Sequence, residues 1–417
     1  MSIPEQNVFA KIEMDIPDFQ PPPWPSAFNE APKWAVEREE IFDLEMKRIF
    51  AGPLWHVVGH RAELDAPGRF KTVQLGQVPL LLIHGQDGTI RALHNACAHR
   101  GTLLEPRFRG EAREFECPFH RWAYSLEGAL TRCPGVKDFP ESFELVNHGL
   151  ATACVEEFCG LLFASLHPEP PTLESWLAEI GQPLQAALGG DGRLRLLGYQ
   201  KAIFEANWKI YIDDEGYHAP LLHRAFQILK WKGGTGSQIR ASQGHRVTET
   251  VMEGAADNLD LLHDPGLMRY RGGEAPRNKL PHQKAGSLLV TPWPLGAVMN
   301  HLDIINFRFA NPVSPTQTEV HYAYFAHQDD DPEFVRHRVR QSSNLIGPSG
   351  FISLEDGAVF RRIQKALHAE PAHTRYVRGW QDSPENDPWH VSHNDEVTNT
   401  VWWEAYRQTM GFEREAA

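Results

Sequence analysis

Cys97-Ala98-His99-Arg100-Gly101 and, after an intervening hairpin, Cys117-Pro118-Phe119-His120 are the stretches on which the reading of this chain turns. Each offers a thiolate and an imidazole one or two residues apart. In a mixed-ligand [2Fe–2S] centre two Cys hold one iron and two His hold the other. That chemistry needs two short loops side by side, each delivering one sulfur and one nitrogen, and adjacent hairpin loops of a β unit supply them. Two such pairs at a compatible separation, in a chain with 5 Cys and 21 His, arise by accident well below about 1% of the time. Cys₂His₂ also suits Zn²⁺, so a zinc-stapled, non-enzymatic ligand-binding protein is a rival reading. Against it, the spacings are not those of a zinc finger and the flanks read as strands.

Outward from these loops, short β-type runs at residues 70–75, 78–83 and 89–93, with Gln86-Asp87-Gly88 as a turn signal, and a closing pair at 150–155 and 161–166 predict an all-β domain over 52–165. Before it, residues 1–51 read as a Pro-rich extended arm (Pro21-Pro22-Pro23-Trp24-Pro25) and an amphipathic helix at 35–50, packed on the C-terminal domain over 166–417. After it, residues 166–417 read as α+β. Thr172 is the expected N-cap of a helix presenting Leu173, Trp176, Leu177, Ile180 and Leu184. Strands are expected near 193–206, 239–251, 287–293, 298–310 and 318–326, with helical stretches from about 207, over 332–367 and over 396–411.

A second cluster of metal-binding residue types lies in Glu215-Gly216-Tyr217-His218-Ala219-Pro220-Leu221-Leu222-His223. Five positions rotate a regular helix by about 140°, so His218 and His223 reach one ion only from a distorted or ending helix, and Pro220 supplies a distortion. Two His and one carboxylate on one face of Fe(II) form the facial triad of non-haem oxygenases.

The two Cys/His loops, extended through Arg121-Trp122-Ala123-Tyr124, resemble the signature of Rieske aromatic-ring-hydroxylating oxygenases, in their large (α) subunit. The resemblance runs from about residue 35 to Trp402-Trp403-Glu404-Ala405-Tyr406. It implies an all-β Rieske domain followed by a helix-grip catalytic domain with an antiparallel sheet, holding a [2Fe–2S] cluster on Cys97, His99, Cys117 and His120 and a mononuclear Fe(II). Gly347-Pro348-Ser349-Gly350-Phe351-Ile352-Ser353-Leu354-Glu355-Asp356 resembles the segment that gives the third iron ligand, with Asp356 at the ligand's place and Glu355 as the fallback. Arg121 departs from the family, standing where many members have Gly. Cys133, Cys154 and Cys159 match no ligand position and read as small buried hydrophobes. Three residues before His218, where the family carries an Asp that links the two iron centres across subunits, stands Glu215; Asp214 is the alternative bridge.

By the same resemblance, electrons arrive from NAD(P)H through a separate reductase, sometimes with a ferredoxin, and the chain forms a homotrimer or, with a small β subunit, an α₃β₃ assembly. The texture around Asn207-Trp208-Lys209 and Gly347–Phe351 is most like salicylate-, benzoate- and anthranilate-type subunits, so an aromatic carboxylate is the expected substrate, with His301 and Arg308 as candidate partners. A Rieske monooxygenase of quaternary ammonium compounds is the alternative, because such members carry Glu at the bridging place and 12 Trp offer an aromatic cage. No Gly-rich dinucleotide fingerprint follows a strand.

Composition narrows the partners. Lys plus Arg is 41 and Asp plus Glu is 54, a net charge of −13, which disfavours nucleic acid, whose affinity rests on clustered Lys and Arg. No apolar run approaches the roughly 20 residues of a membrane-spanning helix, nothing resembles a secretory signal, and an odd, small Cys count fits the reducing cytoplasm.

Overall fold

The computed structural model describes residues 20–216, 223–229, 235–251, 286–301, 304–379, 391–392 and 395–415. Two compact units divide them: Phe50–Pro171, and the chain up to Ile49 together with Thr172 onward.

In the first unit β1 (His56–His60), β2 (Arg69–Leu75), β3 (Val78–His84), β4 (Ile90–His94) and β5 (Arg109–Glu111) enter a seven-stranded sheet. Three short strands, β6 (Phe115–Glu116), β7 (Ala123–Tyr124) and β8 (Leu130–Arg132), make a separate sheet. β9 (Thr152–Phe158) and β10 (Leu161–Ser165) return to the first, whose order is β1-β10-β9-β4-β3-β2-β5, antiparallel throughout. β3 reads Leu80-Leu81-Leu82-Ile83 without polar alternation because both its faces are covered, and all four are fully buried. Leu81 and Ile83 face a core with Phe70, Leu93, Phe115, Trp122, Tyr124 and the thiols Cys97 and Cys117. A buried ion pair, Lys71 Nζ to Glu63 Oε2 at 2.7 Å, ties β2 to the turn after β1. Of the three spare cysteines only Cys133 is buried; Cys154 and Cys159 are half-buried, on β9 and its hairpin turn, which corrects their expected burial.

The second unit is an eight-stranded antiparallel sheet with helices against it. Its helices are α1 (Glu39–Glu45), α2 (Gly181–Ala187), α3 (Trp208–Gly216), α4 (Arg224–Leu229), α5 (Pro332–Ile346), α6 (Phe351–Lys365) and α7 (Val397–Met410). Its strands are β11 (Leu194–Phe204), β12 (Thr235–Arg240), β13 (Arg246–Val251), β14 (Gly286–Thr291), β15 (Gly296–His301), β16 (Ile304–Ser314), β17 (Gln317–His327) and β18 (Val391–Ser392), in the order β11-β17-β16-β15-β14-β13-β12-β18. Thr172 does cap a helix, Oγ1 accepting from Ser175 N at 3.3 Å, but that helix ends at Leu177, where Ala178 takes φ 42°, and Leu184 lies in the separate α2; Leu173, Trp176, Leu177, Ile180 and Leu184 are all buried.

Four further expected elements are divided. The strand expected at 239–251 is β12 and β13, reversed at Ser242–Gly244, where Gln243 takes a left-handed φ of 63°. The strand expected at 298–310 is a hairpin of β15 and β16, His301 pairing with Ile304. No Gly or Pro marks that reversal, so the apolar pattern runs through it. The helix expected at 332–367 is α5 and α6, broken at Gly347–Gly350. The helix expected at 35–50 breaks at Arg38, whose backbone is extended.

Asn207-Trp208-Lys209 earns its place by anchoring α3. Asn207 Nδ2 donates to Val36 O and Pro315 O, at 3.0 and 2.8 Å. Trp208 Nε1 and Lys209 Nζ both reach Glu45 of α1, at 2.7 and 2.5 Å, and Tyr406 of α7 donates to the same carboxylate. Aromatic rings gather beside that network: Trp208 lies 5.6 Å from Trp402, which stacks on Tyr406 at 5.7 Å.

Candidate iron–sulfur and mononuclear iron sites

Cys97–Thr102 and Cys117–Trp122 are paired tight loops built alike. Cys97 N donates to Thr102 O at 2.9 Å and Gly101 N to Cys97 O at 2.8 Å; Cys117 N donates to Trp122 O at 2.7 Å and Arg121 N to Cys117 O at 3.0 Å. Each loop closes through one residue of left-handed backbone, Gly101 at φ 70° and Arg121 at φ 62°. Glycine takes that conformation freely, whereas an L side chain costs roughly 1–2 kcal/mol there. Arg121 is thus an Arg in a glycine position, its Nε held by Glu116 Oε1 at 3.1 Å.

The loops sort their donors by depth. Cys97 and Cys117 are buried in the apolar core and unbridged, while His99 and His120 are exposed with ring centroids 4.8 Å apart. Burial pushes the Cys117 thiol up, but backbone N–H groups of Phe119 and His120, with Cys97 and Thr102 beside it, bring it below its ordinary value, toward the thiolate that binds metal. Desolvation, then the charges of His120 and Arg100, lowers His99 toward the neutral imidazole. The His99 ring stacks on Trp122 at 4.7 Å and 11°. Tyr124 OH sits 3.2 Å from Cys97 Sγ and 3.1 Å from Ala98 N, and burial followed by Cys97 keeps it a protonated phenol. Two inner sulfurs and two outer nitrogens on facing loops fit a mixed-ligand diiron cluster.

In the second unit, His223 directly precedes α4 and Asp356 sits in the second turn of α6; Nδ1 of the first lies 3.5 Å from Oδ1 of the second. That is long for a hydrogen bond, and Asp356 Oδ1 is buried without a hydrogen-bond partner among the described residues. A buried carboxylate oxygen left open beside an imidazole fits a metal ligand. Burial opposes a charge on His223, yet Asp356 and, behind it, Glu355 hold its pKa above the ordinary value. The approach to α6 is a tight turn, Gly350 N donating to Gly347 O at 2.7 Å. A Cβ on Gly347 would stand 2.5 Å from Ser343 O and 2.6 Å from Gln200 Oε1, so the turn requires glycine.

The other expected residues fall as follows. His218 and Pro220 lie outside the described residues. The backbones of Glu215, at the end of α3, and His301, at the end of β15, are described, but their side chains lie outside that description. Asp214 is half-buried on α3. Its neighbour Asp213, which the sequence did not distinguish, is engaged in the core: Tyr376 OH, Asn399 Nδ2 and Trp403 Nε1 all donate to its Oδ1, at 3.0, 2.8 and 3.0 Å. Glu355, the fallback ligand, has both oxygens on backbone amides, Arg224 N at 2.9 Å and Ala225 N at 2.6 Å, which corrects its role from ligand to cap. Arg308 is buried under the end of α5, donating to Asn306 Oδ1 and Ile346 O, each at 3.2 Å, and lying 5.1 Å over the Tyr322 ring.

This pairing of a Cys/His loop domain with a helix-covered antiparallel sheet defines an iron–sulfur oxygenase architecture. Residues 54–149 match the family model for a Rieske [2Fe-2S] domain, and residues 189–396 match that of the ring hydroxylating alpha subunit catalytic domain. The chain is 28% identical to the large oxygenase component of salicylate 5-hydroxylase of Ralstonia sp, over 86% of this chain and 90% of that one. It is 30% identical to the terminal oxygenase subunit alpha 2 of terephthalate 1,2-dioxygenase of Comamonas sp, over 90% and 94%. It is also 30% identical to the oxygenase subunit of glycine betaine monooxygenase of Chromohalobacter salexigens, over 71% and 72%. The fold matches naphthalene 1,2-dioxygenase of Rhodococcus sp. bound to indole, with a TM-score of 0.78 at 21% identity, over 91% and 94% of the two chains. The chain belongs to the Rieske ring-hydroxylating oxygenases, as an α subunit with a [2Fe–2S] cluster and a mononuclear iron.

Proposed function

We propose that this α subunit is the terminal oxygenase of a multicomponent, NAD(P)H-dependent system that hydroxylates or cis-dihydroxylates an aromatic carboxylate. The observation that carries the substrate class is Arg308, a guanidinium buried on the sheet beneath the end of α5. Its guanidinium, 5.1 Å over the Tyr322 ring, is of the planar kind that pairs with carboxylates. The salicylate and terephthalate relatives, named for aromatic carboxylates, support the same class. His301 is its second candidate partner.

The cluster supplies single electrons and the mononuclear Fe(II) supplies the site at which O₂ is activated. In this reading Cys97, His99, Cys117 and His120 hold the cluster, and His218, His223 and Asp356 hold the iron. Glu215, with Asp214 as the alternative, accepts a hydrogen bond from the nitrogen of His218 that does not bind metal, fixing that ring's tautomer. Asp213 is committed to the core and does not compete for this role. A separate reductase, with or without a ferredoxin, delivers the electrons in the cytoplasm. The chain assembles as a homotrimer or, with a small β subunit, as α₃β₃. No helix among the described residues is long and apolar enough to cross a membrane.

The quaternary ammonium reading keeps two supports, Glu215 and the betaine monooxygenase relative. Its proposed cage finds less: Trp24, Trp55, Trp176, Trp208, Trp293, Trp402 and Trp403 are all core residues. The test is turnover, with product analysis, on salicylate, benzoate, anthranilate and terephthalate against glycine betaine, choline and carnitine. Turnover of the aromatic acids that falls in Arg308→Gln supports the proposal; turnover of the ammonium compounds alone overturns it. Glu215→Gln is expected to leave both iron centres loaded and to abolish nearly all turnover. Retained activity there transfers the role to Asp214.

A further inference from the structure

Both oxygens of Glu355 are engaged by backbone amides, and those neighbours say what it does. Its two oxygens accept from Arg224 N and Ala225 N, the first two amides of α4, at 2.9 and 2.6 Å. Those amides have no partner inside their own helix, and α4, only six residues long, is marginal without tertiary support. The residue just ahead of them is His223, whose carbonyl accepts from Gln227 N at 3.1 Å and so belongs to the first turn. One residue further along α6 is Asp356, 3.5 Å from the His223 ring. Glu355 therefore holds the backbone of this short stretch of chain, while Asp356, one residue along, faces its ring.

We propose that Glu355 is a positioning residue of the mononuclear iron site: by clamping the start of α4 to α6 it fixes the separation of two candidate ligands from different helices before metal arrives. The proposal rests on the reading of His223 and Asp356 as ligands. A ligand pair drawn from separate helices has no covalent ruler between them, and the clamp supplies one. Loss of such an outer-shell partner typically costs 10–100-fold in metal affinity.

The experiment titrates Fe(II) anaerobically into the full-length protein and its variants after removal of the mononuclear iron, with the visible spectrum of the [2Fe–2S] cluster and the thermal midpoint as controls of folding. Glu355→Ala is expected to weaken Fe(II) binding about 10–100-fold while the cluster spectrum stays that of the parent. Glu355→Gln, which keeps one acceptor oxygen for one amide, is expected to recover part of that loss. An Fe(II) affinity in Glu355→Ala within twofold of the parent overturns the proposal. So does a Glu355→Gln protein as defective as Asp356→Ala, since that pattern belongs to a ligand. If His223→Ala and Asp356→Ala also bind Fe(II) like the parent, the ligand reading beneath the proposal is what has failed.

Discussion

Replacing Glu45 by Ala tests how α1 supports α3. Glu45 is fully buried and receives Lys209 Nζ at 2.5 Å, Trp208 Nε1 at 2.7 Å and the Tyr406 hydroxyl. Burial alone depresses Lys209, and Glu45 is the group that opposes it. Removing one member of a buried ion pair leaves the other uncompensated, at a cost of about 3–5 kcal/mol. Two further donors, an indole and a phenol, lose their acceptor in the same cavity, so the expected loss lies toward the top of that range. Replacing both charges, Glu45→Leu with Lys209→Met, removes the uncompensated ammonium and is expected to recover most of the loss. Urea unfolding followed by tryptophan fluorescence reads the unit that holds this network, and the cluster's visible absorption reads the other unit separately. A loss below about 1 kcal/mol in the single variant, typical of a surface pair, would refute the reasoning. So would a double variant no more stable than the single one.

Arg121→Gly relieves the left-handed backbone of the second cluster loop and is expected to raise stability by about 1 kcal/mol, read as a higher denaturation midpoint with the cluster spectrum unchanged. Tyr124→Phe deletes the hydroxyl 3.2 Å from Cys97 Sγ; fewer hydrogen bonds to a cluster sulfur lower its reduction potential, and a redox titration giving an unchanged or higher value would contradict this. His60 and His245 are each lowered to about 4, chiefly by burial. Because the folded value lies below the unfolded one, their stabilising contribution is complete above about pH 6.5 and is lost as pH falls toward 4, by about 2 kcal/mol for each at pH 5. Denaturation midpoints across that window check it, and His245→Gln is expected to flatten the slope of its own unit.

The sequence carried the Cys/His loops most fully, because a cluster ligand must be a particular residue type at a particular spacing within one loop. Their left-handed closing residues were legible as a Gly101 and as a departure at Arg121, though the shared backbone of the two became visible only in the fold. Asp356 came from the motif around it, and Gly347 shows why that motif exists: no Cβ fits there. What stayed hidden depends on long-range contact. Nothing in Asp213-Asp214-Glu215 distinguishes the carboxylate that Tyr376, Asn399 and Trp403 claim, since all three partners come from the far end of the chain. Glu355 was misread for the same reason, as its acceptor role is set by amides 130 and 131 residues away. The strand divided between His301 and Ile304 was missed because its reversal lacks Gly or Pro.

Metal and acid-labile sulfide analysis of anaerobically purified protein, together with the electron paramagnetic resonance spectrum after dithionite reduction, tests the central claim most directly. The account predicts about three irons and two inorganic sulfides per chain, and the signal of a reduced cluster with mixed thiolate and imidazole ligation. His223→Ala should remove one iron and leave that signal intact. A colourless, sulfide-free protein carrying zinc at the Cys/His loops would contradict it.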